Sequence, residues 1–153
     1  MYRAYFERIL HHKWLVLLEC HKAGILYRGI WHDMSKFRLD EFCIYAKRFH
    51  WVYCEDYDVI EEFEVAEALH KSRNMHHPEY WIRDGEPTEM DHDSVLELLC
   101  DWRAMERRQP GVASTAEEYY LGKRHRMVLH PSTRALIEQE LGLEPDSDQN
   151  APS

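Results

Sequence analysis

Apolar residues return every three or four positions along most of this chain, and Gly, Pro and polar clusters cut the pattern into segments. Residues 3–23 predict a first helix, with Phe6, Ile9, Leu10, Trp14, Leu17 and Leu18 as one apolar stripe and Gly24 as a natural stop. Leu26 to about Met34 reads as a short, apolar second helix. Residues 38–49 read as a third, with Phe42, Tyr45, Ala46 and Phe49 on one face. Trp51 to Tyr57 is a connection. Residues 58–74 form a fourth helix, its stripe running through Val59, Phe63, Ala66 and Leu69 or His70. Glu61, Glu62, Glu64 and Glu67 make its solvated side. Asp84-Gly85 and Pro87 predict a turn, with a small hairpin inside 82–90. Residues 91–107 form a fifth helix on Val95, Leu98, Leu99, Trp102 and Met105, followed by a loop over 108–113. Ser114 to Glu117 has the form of a capping box and opens a helix holding Tyr119, Tyr120 and Leu121. His130-Pro131 begins a last helix, with proline at a tolerated first position, and Gly142 ends it. From Glu144 the chain is polar, and disorder is expected there. The pattern predicts an all-α fold: one domain of about seven helices over 1–142, with a disordered acidic tail over 143–153.

Composition narrows the class. The 153 residues suffice for one domain with a core. The net charge of -9 disfavours nucleic acid as a partner, because that binding neutralises phosphates. No apolar run approaches the ~20 residues that cross a bilayer, and the charged first turns do not read as a signal peptide. Cys20, Cys43, Cys54 and Cys100 show no Cys-x-x-Cys spacing and read as reduced thiols, so a cytoplasmic protein is expected.

The eleven histidines change the picture. His32-Asp33 pairs a neutral nitrogen ligand with an anionic oxygen ligand at the end of an apolar run, a mix that suits a divalent ion. His12 lies close to the stripe of the first helix, whereas His11 and His21 read as surface or outer groups. On a continuous helix His70, Asn74 and His77 share a face and His76 points elsewhere. Pro78 should end that helix at His77. His70 and His77 would then stand roughly 10 Å apart, too far to share one ion unless the helix end curls back. Asp101 lies beside the apolar stripe of the fifth helix, where a carboxylate needs a partner: an arginine, or a metal that it helps to bind.

In chain order the candidates are His12, His32-Asp33 and Asp101, with His70, His76 and His77 between. That order, spread over successive helices, resembles the HD superfamily of metal-dependent phosphohydrolases. Gly29-Ile-Trp-His32-Asp33-Met-Ser-Lys36 is similar to its apolar-His-Asp-x-Gly-Lys segment, with Ser35 in place of the usual glycine. His32–Phe37, His76–Trp81, Asp101-Trp102 and Leu129–Arg134 resemble, more closely still, a group of small HD-related proteins known only as a domain of unknown function. The superfamily resemblance implies that His12, His32, Asp33 and Asp101 hold one divalent ion (Mn, Zn, Fe, Co or Mg). It also implies that His70 with His77, or His76, are the candidates for a second ion. Such an ion activates water and polarises a phosphoryl oxygen. The expected activity is hydrolysis of a phosphomonoester or phosphodiester in a nucleotide or other small metabolite. His77 or Glu79 would orient the water, and Lys36 and Arg73 would meet the phosphate. Trp81 and Trp102 would either stack on a base or fill the core. The competing readings are a di-iron oxygenase and a non-catalytic metal-containing binding module.

Overall fold

The computed structural model describes residues 1–50, 57–108 and 114–144. The expected connection after Trp51, Cys54, the loop centred on Pro110-Gly111 and the tail beyond Glu144 lie outside them. The described residues form an all-α fold of seven helices: α1 (Tyr2–Lys22), α2 (Leu26–Trp31), α3 (Leu39–His50), α4 (Tyr57–Arg73), α5 (His92–Arg108), α6 (Ala116–Lys123) and α7 (Pro131–Leu141). Short 3-10 turns follow α2, precede the hairpin and follow α6. The hairpin pairs β1 (Ile82–Arg83) with β2 (Glu86–Pro87), antiparallel, around Asp84-Gly85. Both turn residues have positive φ, the geometry that favours Asp-Gly. No helix among the described residues is long and apolar enough to cross a membrane.

Three apolar clusters hold the helices together. Val95, Leu98, Leu99 and Trp102 of α5 pack with Tyr120 of α6 and Ile137 of α7. Leu15, Val16 and Cys20 of α1 pack with Cys100 and Ala104 of α5. Tyr5 and Ile9 of α1 pack with Tyr45 and Ala46 of α3 and Ala66 of α4. Each buried large side chain in these clusters contributes about 1.5–3 kcal/mol relative to exposure.

The face of α1 that enters the core is only in part the expected stripe, of which Ile9 is buried and Leu17 and Leu18 are half-buried. Tyr5, Ile9, His12, Val16, Glu19 and Cys20 are buried, whereas Phe6, Leu10 and Trp14 are exposed. Both sets have helical spacing, so periodicity alone did not choose between them. On α5 the expected stripe is buried except Met105. On α4 the inward position is His70, with Leu69 only partly covered. The capping box before α6 sits one residue later than expected: Thr115 caps the Glu118 backbone N–H and the Glu118 carboxylate returns to the Thr115 N–H. Cys20, Cys43 and Cys100 are free thiols.

Gly29 lets α2 lie against α1. A Cβ there would sit 2.9 Å from the Leu17 Cα and 2.9 Å from the Cys20 Cβ. This close approach carries the end of α2, and with it His32, towards His12.

Candidate metal centre

The site forms where α1, the end of α2, the end of α4 and the middle of α5 meet. α2 stops at Trp31, and the backbone then turns through Asp33, which adopts a left-handed conformation at φ 53°. Aspartate tolerates that region better than most residues, at a cost of about 1 kcal/mol. Two successive side chains, His32 and Asp33, are buried at this turn. α4 stops at Arg73, and the Asn74 side-chain amide donates to the His70 carbonyl at 2.7 Å. Pro78 holds His77 in an extended conformation. The chain therefore folds back, and the His77 and His70 Nε2 atoms stand 3.2 Å apart instead of about two helical turns.

The side chains converge. His12 Nε2 lies 2.9 Å from Asp101 Oδ1, and His32 Nε2 lies 3.9 Å from the same oxygen. Asp33 joins two groups through its two oxygens. Its Oδ2 lies 3.4 Å from His32 Nε2, while its Oδ1 lies 3.2 Å from His70 Nε2 and 3.5 Å from His76 Nε2. Three sets have ligand atoms close enough to hold an ion: Asp33 with His70, His76 and His77; His12 with His32 and Asp33; and His32 with His76 and Asp101. His76, expected to point away, is buried at the centre, because the chain has left the helix before reaching it.

The donor chemistry fits a cation. His32 Nε2, Asp33 Oδ1 and His76 Nε2 are buried with no hydrogen bond. Leaving one polar atom in that state costs roughly 1–3 kcal/mol, so three together mark a site built for a ligand. A second layer fixes the rings. Glu97 Oε1 lies 2.9 Å from His32 Nδ1 and 3.3 Å from His76 Nδ1. Glu41 Oε2 lies 3.0 Å from His70 Nδ1 and accepts from the Ser35 hydroxyl. Carboxylates on Nδ1 leave the Nε2 lone pairs facing inward, the usual arrangement behind metal-bound histidines. Arg28 braces Glu97 from 3.6 Å, and Arg73 donates to Glu41 at 2.7 Å. Arg73, expected to meet substrate, thus supports the layer behind the ligands.

Charge follows the same plan. Burial pushes Asp33 up, but His32, Lys36 and the close approach of His70 and His76 hold it well below the usual carboxylate range. Burial likewise opposes the charge on Asp101, and His12, His32 and His76 reverse the effect. Glu97 is brought down to about 2 by its two imidazole hydrogen bonds against the effect of burial. His77 is pushed down to about 2 by burial and by His76 and His70, which keeps it neutral and able to ligate. Lys36 places its ammonium 2.5 Å from Asp33 Oδ2; burial opposes its charge, and Asp33 and Asp101 restore it.

The centre opens through His77 and Asp101 into a cleft of about 800 Å3. Glu79 lines it and pairs with Lys71 at 3.2 Å. Trp102, Tyr119 and Met127 form an apolar wall, and Lys71, Lys123 and Arg126 bring positive charge. Trp81 does not reach this cleft; it packs on the core and donates to the Met75 carbonyl. His11 and His21 are exposed.

Residues 1–143 match the model of a family described as Family of unknown function (DUF5662), and the chain belongs to that family. No curated protein and no solved structure matches it.

Proposed function

We propose that the chain is an HD-like metal-dependent phosphohydrolase that cleaves a small phosphate ester with water. One observation carries this reading. A single buried carboxylate, Asp33, faces separate imidazole groups with its two oxygens, and the inward nitrogens of His32 and His76 have no other partner. His12, His32, Asp33 and Asp101 would hold one divalent ion, and Asp33, His70, His76 and His77 a second. Ions bound there would supply Lewis acidity and lower the pKa of a coordinated water.

The chain's own residues do the rest. The cleft admits the phosphate to the face bounded by His77 and Asp101. Its apolar wall takes the organic body of the ester, while Lys123 and Arg126 favour an anion in an otherwise acidic molecule. Glu79 orients the attacking water and accepts its proton. A new phosphorus–oxygen bond forms with that water as the ester oxygen leaves. Lys36 offsets charge on the phosphoryl group from its place beside Asp33.

The experiment is metal analysis of protein purified without chelator, together with a screen of phosphomonoesters, phosphodiesters and nucleotides. About two ions per chain and metal-dependent phosphate release are expected. Stoichiometric iron with oxygen consumption and no hydrolysis would make the protein an oxygenase. Metal-free protein that fails to take up divalent ions would leave only a binding module.

A further inference from the structure

Half of the expected core stripe of α1 lies outside the core. Phe6, Leu10 and Trp14 follow each other at four-residue steps on the outer face, and Ile30, Trp31 and Met34 stand out from α2 and the turn after it. All six are between 41% and 70% exposed. They belong to one region. Phe6 packs edge-on against Phe37 at 6.1 Å, and Lys13 ties α1 to the end of α2 through the Ile30 and His32 carbonyls. Beyond the Lys13 tie, Gly29 brings α2 against Leu17 and Cys20 of α1.

The area is large for a free surface. Three of the six are aromatic, at ~150–250 Å2 per side chain, and the exposed fractions leave on the order of 600–700 Å2 of apolar side chain in water. A typical monomer's largest patch is ~300–600 Å2, and a stable interface takes ~800 Å2 from each partner. The patch is also arranged to meet itself. Phe6 and Trp14 are equally spaced about Leu10 along one uninterrupted helix. A two-fold axis passing by Leu10 would set Phe6 against the partner's Trp14, and Leu10 against the partner's Leu10. A lipid surface is a poorer occupant, because this chain carries a net charge of -9 and anionic membranes favour basic patches.

We infer that the outer face of α1, with Ile30, Trp31 and Met34, is the interface of a two-fold homodimer centred near Leu10. The inference is independent of the metal reading. Sedimentation equilibrium of the full chain at micromolar concentration should give the dimer mass. Trp14→Glu should weaken association at least a hundredfold while circular dichroism stays unchanged, since this ring is more than half exposed. With Cys43 and Cys54 replaced by serine, Leu10→Cys should cross-link to its own copy under mild oxidation, and Glu64→Cys, on the solvated side of α4, should not. A monomer at every concentration, a dimer indifferent to Trp14→Glu, or a monomer that binds phosphatidylcholine vesicles through Trp14 would each overturn the inference.

Discussion

Asp33 combines a strained backbone, complete burial and two oxygens aimed at different partners, so its substitution separates shape from charge. Asparagine tolerates the same left-handed conformation and keeps the volume. Asp33→Asn should therefore fold, yet lose bound metal and hydrolysis together; full activity in this variant would refute the metallohydrolase reading. Lys36→Ala should behave differently. On the proposed mechanism it would remove a contact to the phosphate without removing a ligand, so metal content should stay and turnover should fall by roughly ten- to a hundredfold, the worth of one charge-assisted hydrogen bond of about 1.5–3 kcal/mol. Metal loss in Lys36→Ala with an intact fold would show that the ammonium belongs to the cage. Glu97→Gln probes the layer behind the ligands. Its carboxylate faces Nδ1 of both His32 and His76, so metal affinity should drop about 10- to 100-fold in a calorimetric titration, and an unchanged affinity would reduce Glu97 to a packing residue. Glu97 and Glu41 were not picked out in the sequence, although both carried a signal. Each is an acid amid apolar helix positions: Glu97 between Val95 and Leu98, Glu41 one turn before Tyr45. The same argument that singled out Asp101 applies to them. Asp101 is legible as a candidate because burial of a charged group requires a partner, and His32-Asp33 because the pair sets a nitrogen ligand beside an oxygen ligand at the end of an apolar run.

Helices were legible in their existence and type, and less so in which face turned inward. α1 is the clearest case. It carries two apolar stripes, one through Tyr5, Ile9 and Val16, the other through Phe6, Leu10 and Trp14. The first contains His12, and only the site's demand for that imidazole distinguishes it. The fourth helix, expected over 58–74, runs Tyr57–Arg73. The facing of His76 and His77 differs for a local reason: it assumes helical spacing as far as His77, whereas the chain leaves the helix after Arg73 and lets both histidines return. The bar set by Pro78 on helical geometry is visible in the sequence; the earlier stop at Arg73, sealed by the Asn74 amide, is not. Gly29 is the element-scale position on which the site depends most. Gly29→Ala would place a methyl 2.9 Å from the Leu17 backbone, where neither helix can yield cheaply. It should cost about 1–3 kcal/mol in chemical denaturation and weaken metal binding by moving His32. Wild-type stability in that variant would mean that the α1–α2 contact is looser than it looks.

Across the whole molecule, metal binding at the proposed centre would be coupled to folding, because the candidate ligands come from α1, the turn after α2, α4 with its following turn, and α5. An ion that binds only the folded chain stabilises it by mass action, by about 2.7 kcal/mol at a hundredfold excess over Kd. For a chain of this length each kcal/mol is worth ~2–4 °C in Tm, so chelation should lower Tm by roughly 5–10 °C, and restoring the ion should recover it. A Tm indifferent to divalent ions would separate the cage from the fold. A second link lies outside the site, between the ends of α1 and α5. Arg107 donates to Glu19 at 2.5 Å and Lys22 to the same oxygen at 3.0 Å. Burial raises the Glu19 pKa, but the two hydrogen bonds outweigh it and the group stays ionised below its ordinary range. A depressed folded-state pKa means that this stabilisation is fully present above the unfolded value near 4.3. It is then lost as pH falls through the folded value. Arg107 and Lys22 are substantially exposed, so solvent screening limits the contribution to about 1 kcal/mol. Glu19→Gln should therefore be less stable than wild type at neutral pH by about that amount. The gap should close in urea denaturation as the pH is taken below 4, and narrow in high salt. A gap that stays constant from neutral to acid pH would show that Glu19 acts through its packing against the helices and not through its charge.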